Sequence, residues 1–474
     1  MNCVNLQEKI RDYTAAHRAE LLRDLAELVA VPSVAKPGKD GLPYGAECRE
    51  VLRRAEAIAR RMGFVTEIVD DAVLTVEFGD KPAQLCLMAH LDVVDAGEGW
   101  DSDPYTMVVT EERLVGRGVT DDKGPAIAAL YAMDAIRRFC PDLPYGVQLW
   151  LGSAEEIGSP DLKQYLKSHQ MPPIVLTPDS MEALCTGESA KHRPDFGAKW
   201  DKCDVLPRVV YLQGGKVRNA IPDYAEARVA GLTADAVRPI ADAWSAQAEV
   251  SFELTDTDEG LVIRAYGVTA HIGIAQNGRN AQTALIALLS KLPLADCASE
   301  RAICDLARLF PHGDMTGAAM GLTVADGIMG TSRTNFTTCT LDDEGFRGQF
   351  DSRGPTNATP ENYSLLIDAA LRGAGFTVAE SQMDGAHYVP DDAPIVRAMQ
   401  ELWHQVWGFT PACEFSFGGT YAHYIDGAIA FGIAAPGVDT LLHKVGEFLP
   451  LADLDRQVEL CALTMARLCR ENPL

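Results

Sequence analysis

The 474-residue sequence contains no run approaching the ~20 consecutive apolar residues that a membrane-spanning helix needs, which excludes that class of protein. Its opening, MNCVNLQEKIRDYT, lacks a basic region followed by an apolar run, so no secretion signal is read there and a cytoplasmic protein is expected. Positive charge is scarce. Lys and Arg number 42 against 67 Asp and Glu, a formal net charge of −25. Such a chain repels phosphate backbones and anionic lipid, so neither nucleic acid nor a membrane surface is an expected partner. The 12 cysteines include no CxxC pair. In a long chain without a secretion signal they read as free, mostly buried thiols of a reducing compartment. There is no repeat with a period of 20–50 residues and no low-complexity tract, which excludes solenoids and disordered linkers.

What is present is globular in character. Hydrophobic residues make up 47% and charged residues 23%, and at roughly 150 residues per domain the length predicts two to four domains. Ile10, Leu21, Leu22, Leu25, Leu28 and Val29 recur at helical spacing until Pro32 ends the pattern. Strand-like runs follow at Val73–Phe78, Leu85–Ala89, Val147–Leu151 and Ile174–Leu176, with a helical stretch at Pro125–Phe139 between them. That alternation predicts an α/β sheet with helices on its faces. The middle differs: Glu249–Thr255 and Leu261–Val268 flank a hairpin signal, DTDEG, and Asn280 can cap an apolar helix. From Pro390 the α/β texture returns, with helices near Pro394–Trp407 and Leu451–Leu468. The predicted architecture is a discontinuous α/β catalytic domain with a helix-flanked mixed sheet, residues 1–187 plus 381–474, and an inserted α+β lid domain, residues 188–380.

Five segments carry candidate chemistry: Ala89-His90-Leu91-Asp92, Thr120-Asp121-Asp122-Lys123, Ala154-Glu155-Glu156-Ile157, Thr177-Pro178-Asp179-Ser180 and Leu442-His443-Lys444. The first four follow a strand run or open a helix. In open α/β sheets ligands bind outside the carboxyl ends of the strands, so those four would converge on one edge. His90 reads as a metal ligand with Asp92 fixing its tautomer. Adjacent glutamates repel unless a cation or proton lies between them, so one of Glu155 and Glu156 would bind metal while the other takes a proton from a water. His443 is a second candidate imidazole. Singly, each has a plainer reading: a surface His and Asp at a strand end, an N-cap at Asp121 or Asp122, solvated glutamates, a turn former at Asp179, a helix-flanking His443.

In order, the strings LMAHLDVVDAG…W, GRGVTDDKGP, SAEEIGS, TPDS…GE and LLHKVGEF resemble the di-zinc metallopeptidases of the aminoacylase and carboxypeptidase type, and most closely the PepV-like dipeptidases. The resemblance continues through GGKVRNAIPD, GVTAHIGIAQNGRNA, FDSRGP and SFGGTYAHYIDGAIAFG, nearly the whole chain. It implies two Zn²⁺ per chain, with Mn²⁺ or Co²⁺ also compatible. His90 and Asp179 would hold one ion, Glu156 and His443 the other, and Asp121 both. Asp92 would orient His90 and Glu155 would be the general base. His271 would help stabilise the oxyanion and Arg353 would hold the substrate's terminal carboxylate. Asn219 and Gly418-Gly419-Thr420 would line the substrate site. Asp121, Glu156, Asp179 and Glu155 would together neutralise the two cations.

The function so implied is a dipeptidase acting on short peptides, including the β-Ala-His type, and the enlarged insertion is compatible with a monomer. The same core also deacylates N-acyl amino acids, but the long insertion and the GGTYAHYIDG string favour a dipeptidase. A catalytically silent metal-binding protein is disfavoured because every ligand position and the base are filled. The related dipeptidases carry Arg where this chain has His423, which bears on specificity.

Overall fold

The computed structural model describes residues 3–38, 41–79, 81–471 and 473–474. The chain divides into two compact units, Met1–Gly187 with His387–Leu474, and Glu188–Ala386.

The first unit is α/β and built on a nine-stranded mixed sheet. At its centre Ala83–His90 runs parallel to Gly146–Gly152 on one side and to Ile174–Ser180 on the other, and Ile429–Gly432 extends the parallel run. Val73–Phe78 adds antiparallel to Gly146–Gly152, and Val65–Val69 closes that edge. The central strands are continuous apolar runs because both faces are covered. The helices Cys3–Val29, Lys123–Phe139 and Leu451–Leu468 contribute to the same apolar core. Lys123 through Ile136 are buried all round. This parallel register brings three strand ends together: His90 lies opposite Gly152, with Glu155 and Glu156 following at once, while Asp179 lies near the end of the third strand. A small three-stranded sheet pairs Arg113–Val115 with Phe448–Pro450 and carries the ends of two loops that matter below.

The second unit is α+β. Its nine strands are antiparallel, and the predicted hairpin forms between Ser251–Thr257 and Gly260–Tyr266, with Thr257 opposite Gly260. Asn280 caps the helix Ala281–Leu289 by accepting the Thr283 N–H. The core of this unit is aliphatic and includes an aromatic cluster of Phe196, Phe310, Phe336, Phe346, Phe350 and Phe376.

One expectation is corrected here. Nine cysteines are free among the described residues, but Cys203 and Cys297 are joined by a disulfide. Their Cα atoms are 6.1 Å apart, a normal span for such a bond, yet they are separated by 94 positions in the chain, so no local spacing announces the pair. No helix among the described residues is long and apolar enough to cross a membrane.

Candidate metal centre

Asp121 is the hub of the first unit's polar cluster. Its Oδ1 lies 2.8 Å from His90 Nε2 and its Oδ2 lies 2.8 Å from His443 Nε2. Glu156 Oε1 is 3.1 Å from the same nitrogen of His443, and Asp179 Oδ2 is 3.8 Å from His90 Nε2. Ligand atoms of His90, Asp121 and Glu156 lie within 4.8 Å of one another, as do those of His90, Asp122 and Asp179. The two imidazoles differ in setting: the His90 side chain is 1% exposed and that of His443 is 42% exposed.

Backbone geometry explains why these side chains are so placed. His90 Nδ1 lies 3.0 Å from the Asp92 carbonyl oxygen and 3.4 Å from Asp92 Oδ1, which leaves Nε2 to face the cluster. The two Asp92 carboxylate oxygens accept the N–H groups of Glu155 and Glu156, each at 3.1 Å. Just upstream, Asp161 Oδ2 accepts the N–H groups of Ser153 and Ala154 and the Tyr421 hydroxyl. Four successive main-chain donors are therefore fixed by two buried carboxylates. Asp122 occupies the N-cap position of its helix without capping it; instead its Oδ2 accepts the His90 N–H. Its Oδ1 is buried with no hydrogen-bond partner among the described residues.

The electrostatics are those of a crowded site. Burial and the nearby Asp179 push the Glu155 carboxyl well above the usual range, and burial with Asp121 raises Glu156. Burial alone would lower both imidazoles. Asp121 and Asp92 outweigh it at His90, and Asp121 and Glu156 raise His443 to about 11. Asp121 itself is held far below its ordinary value, because the hydrogen bonds from His443 and His90 overcome its burial. These shifts favour positive charge among the carboxylates, whether carried by protons or by cations. Two Nε2 atoms, several convergent carboxylates, an orphaned carboxylate oxygen and no thiolate form a donor set that fits divalent cations.

The remaining sequence-predicted residues are placed as follows. The Thr420 hydroxyl caps the turn Tyr421–Tyr424 by accepting the Ala422 N–H, and the half-buried Gly418 donates its N–H to Ser416 Oγ at 3.1 Å. His423 is half-buried and edge-on to Tyr424. In the second unit Asn219 and His271 are brought side by side: the Ile272 N–H donates to the Asn219 carbonyl, and His271 Nδ1 accepts the Gly273 N–H. Arg353 is not with them in sequence or strand; it is buried and forks onto Asp351, with Nε and Nη2 each at 2.8 Å.

Residues 86–467 match peptidase family M20/M25/M40. The chain belongs to this family. As an M20 peptidase it is a hydrolase of peptide bonds. Over 471 residues this M20 peptidase is 26% identical to the Beta-Ala-Xaa dipeptidase of Lactobacillus delbrueckii subsp. lactis, with 98% of this chain and 99% of that protein covered. Human carnosine dipeptidase 1 has the same fold, with a TM-score of 0.59 at 16% identity, covering 96% of this chain and 97% of that one. The dipeptidase Dug1p from Saccharomyces cerevisiae matches at a TM-score of 0.56 and 14% identity, over 96% and 97% of the two chains.

Sequence reasoning had no role for Asp161, Tyr421, Arg117 or Glu447. Their burial is the signal that distinguishes them, and spacing does not reveal it.

Proposed function

We propose that this M20 peptidase is a metal-dependent dipeptidase, cleaving the peptide bond of short peptides that keep a free carboxylate, β-alanyl dipeptides among them. The observation that carries the reading is the convergence of His90, Asp121, Glu156, Asp179 and His443 on the end of one sheet. Full-length similarity to a Beta-Ala-Xaa dipeptidase supports it.

We assign His90 and Asp179 to one cation, Glu156 and His443 to the other, and Asp121 to both. Zinc suits these imidazole and carboxylate donors, and Mn²⁺ or Co²⁺ accepts the same set. When bound, such cations supply Lewis-acid polarisation of a carbonyl and a water that ionises near neutrality. Asp92 holds His90 in the tautomer that presents Nε2. Glu155, its main chain pinned by Asp92, has the raised proton affinity of a base that takes a proton from water and later gives it to the leaving amine. We further assign stabilisation of the oxyanion to His271 and binding of the peptide's carboxylate to Arg353, whose Nε and Nη2 are steadied by Asp351. Asn219 and the short Gly418-Gly419-Thr420 segment line the substrate.

The test is a substrate panel on protein stripped by chelator and reloaded with zinc, comparing dipeptides that include β-Ala-His with N-acyl amino acids. Dipeptide hydrolysis that disappears on stripping and returns on loading is expected. Activity confined to the N-acyl compounds would overturn the substrate assignment.

A further inference from the structure

We propose that Glu447 is a positioning residue that locks the loop carrying Asp121 against the turn carrying His443, and thereby sets the affinity for the cation assigned to Glu156 and His443. The inference rests on reading the cluster as a two-cation site.

Glu447 is fully buried, four residues beyond His443. Its Oε1 accepts the N–H groups of Thr120 at 2.9 Å and Asp121 at 3.2 Å, and the Gly118 N–H lies 3.0–3.1 Å from both oxygens. Its Oε2 receives Arg117 Nη1 at 2.7 Å. Arg117 is equally buried and lies over the Trp100 ring at 5.4 Å. The main chain joins in: the Gly116 N–H donates to the Glu447 carbonyl, the Thr120 hydroxyl to the Phe448 carbonyl, and Phe448 pairs with Val115 across the small sheet. On the other side, the turn back to His443 contains two residues at positive φ, His443 at 62° and Gly446 at 82°. One carboxylate thus ties together two distant segments of the chain, each delivering a ligand.

Hydrogen bonds to an ionised acceptor are roughly twice as strong as neutral ones, so the Glu447 charge, matched by Arg117, is what holds this arrangement. His90 depends on it far less, because its own position is fixed by the central sheet and by the Asp122 and Asp92 contacts. The consequence is selective. Loss of the Glu447 charge loosens Asp121, which both cations share, and loosens the His443 turn as well, so the His443 side of the site is weakened more than the His90 side.

The experiment is Zn²⁺ titration by chelator competition on wild type and Glu447→Gln, with melting of both metal-free proteins and dipeptide turnover against added zinc. Wild type should hold two ions. The variant should weaken the two ions unequally, the one assigned to Glu156 and His443 roughly 10- to 100-fold and the other by a smaller factor, with turnover recovering as zinc is raised. Two ions held at wild-type affinity would overturn the proposal. So would equal weakening of both ions with a lowered metal-free melting point, which is the mark of a general structural role. A wild type that holds no zinc would instead remove the two-cation reading, and the proposal with it. Should Glu447→Gln fail to fold, Arg117→Lys is the second variant: the same selective weakening, several-fold, is expected, and unchanged zinc affinity overturns the proposal.

Discussion

The Asp121 carboxylate meets the His443 imidazole at 2.8 Å, Oδ2 to Nε2, while its other oxygen lies the same distance from His90. A carboxylate with one oxygen committed to each of two imidazoles has the geometry of a bridge. Asp121→Asn keeps the shape and removes the charge. At zinc concentrations that fill both wild-type positions, the variant should retain fewer than one ion per chain by elemental analysis. Two retained ions would show that Asp121 bridges nothing.

Glu155 tests the division of labour between the paired glutamates. Its N–H is fixed by Asp92 and its carboxyl is pushed up by burial and by Asp179. Glu155→Gln should lower kcat by about 10²–10⁴-fold, the usual worth of a positioned proton acceptor, with both ions still bound. Near-normal turnover would move the base elsewhere.

Metal loading should be coupled to protons. In the bare protein Asp121 and Glu156 raise His443 to about 11, and Asp121 and Asp92 raise His90, so protons and cations compete for these imidazoles. A ligand imidazole must be neutral. The sign follows: protons compete with the cation, so affinity rises with pH through the neutral range and levels off only as pH approaches the His443 value. Calorimetry in two buffers of different ionisation enthalpy should record proton release on zinc binding at pH 7. Affinity that is flat between about pH 6 and 9 would contradict it.

Gly152 ends the strand beneath the site. A Cβ there would stand 1.9 Å from the Tyr421 hydroxyl oxygen and 2.6 Å from Asp161 Oδ2. Gly152→Ala therefore displaces the very contact that fixes the Ser153 and Ala154 N–H groups. The expected cost is about 1–3 kcal/mol of stability, as for other overpacked cores, together with a loss of activity. Chemical denaturation with unchanged stability would show that the Tyr421–Asp161 contact is dispensable.

Much of this was legible in the amino-acid order. The buried strands declared themselves because a sheet covered on both faces writes an unbroken apolar run; Leu85–Ala89 lies within the strand Ala83–His90, and Val73–Phe78 is also found as read. The helices Pro394–Trp407 and Leu451–Leu468 also coincide with the reading. The helix Ala46–Arg61 was not anticipated. Its buried stripe, Cys48, Val51, Leu52, Ala55, Ile58 and Ala59, does recur at helical spacing among charged residues, so the signal was present and was passed over. In the second unit Ala234–Ala248 is harder to see, because its buried residues are Ala234, Val237, Ala241 and Ala248 and Pro239 lies inside it. At the site, residue type and strand-end position singled out His90, Asp179 and the pairs Asp121-Asp122 and Glu155-Glu156, and only the family resemblance chose Asp121 and Glu156 within the pairs. Asp161 and Glu447 stayed invisible because they act on main-chain N–H groups, which impose no pattern on neighbouring side chains.

The most direct measurement is zinc content against dipeptide hydrolysis on one preparation, as isolated, stripped and reloaded. Two ions per chain, with turnover lost on stripping and regained in step with loading, is the predicted result. Hydrolysis that survives complete metal removal, or a reloaded protein that binds no zinc, would contradict the account.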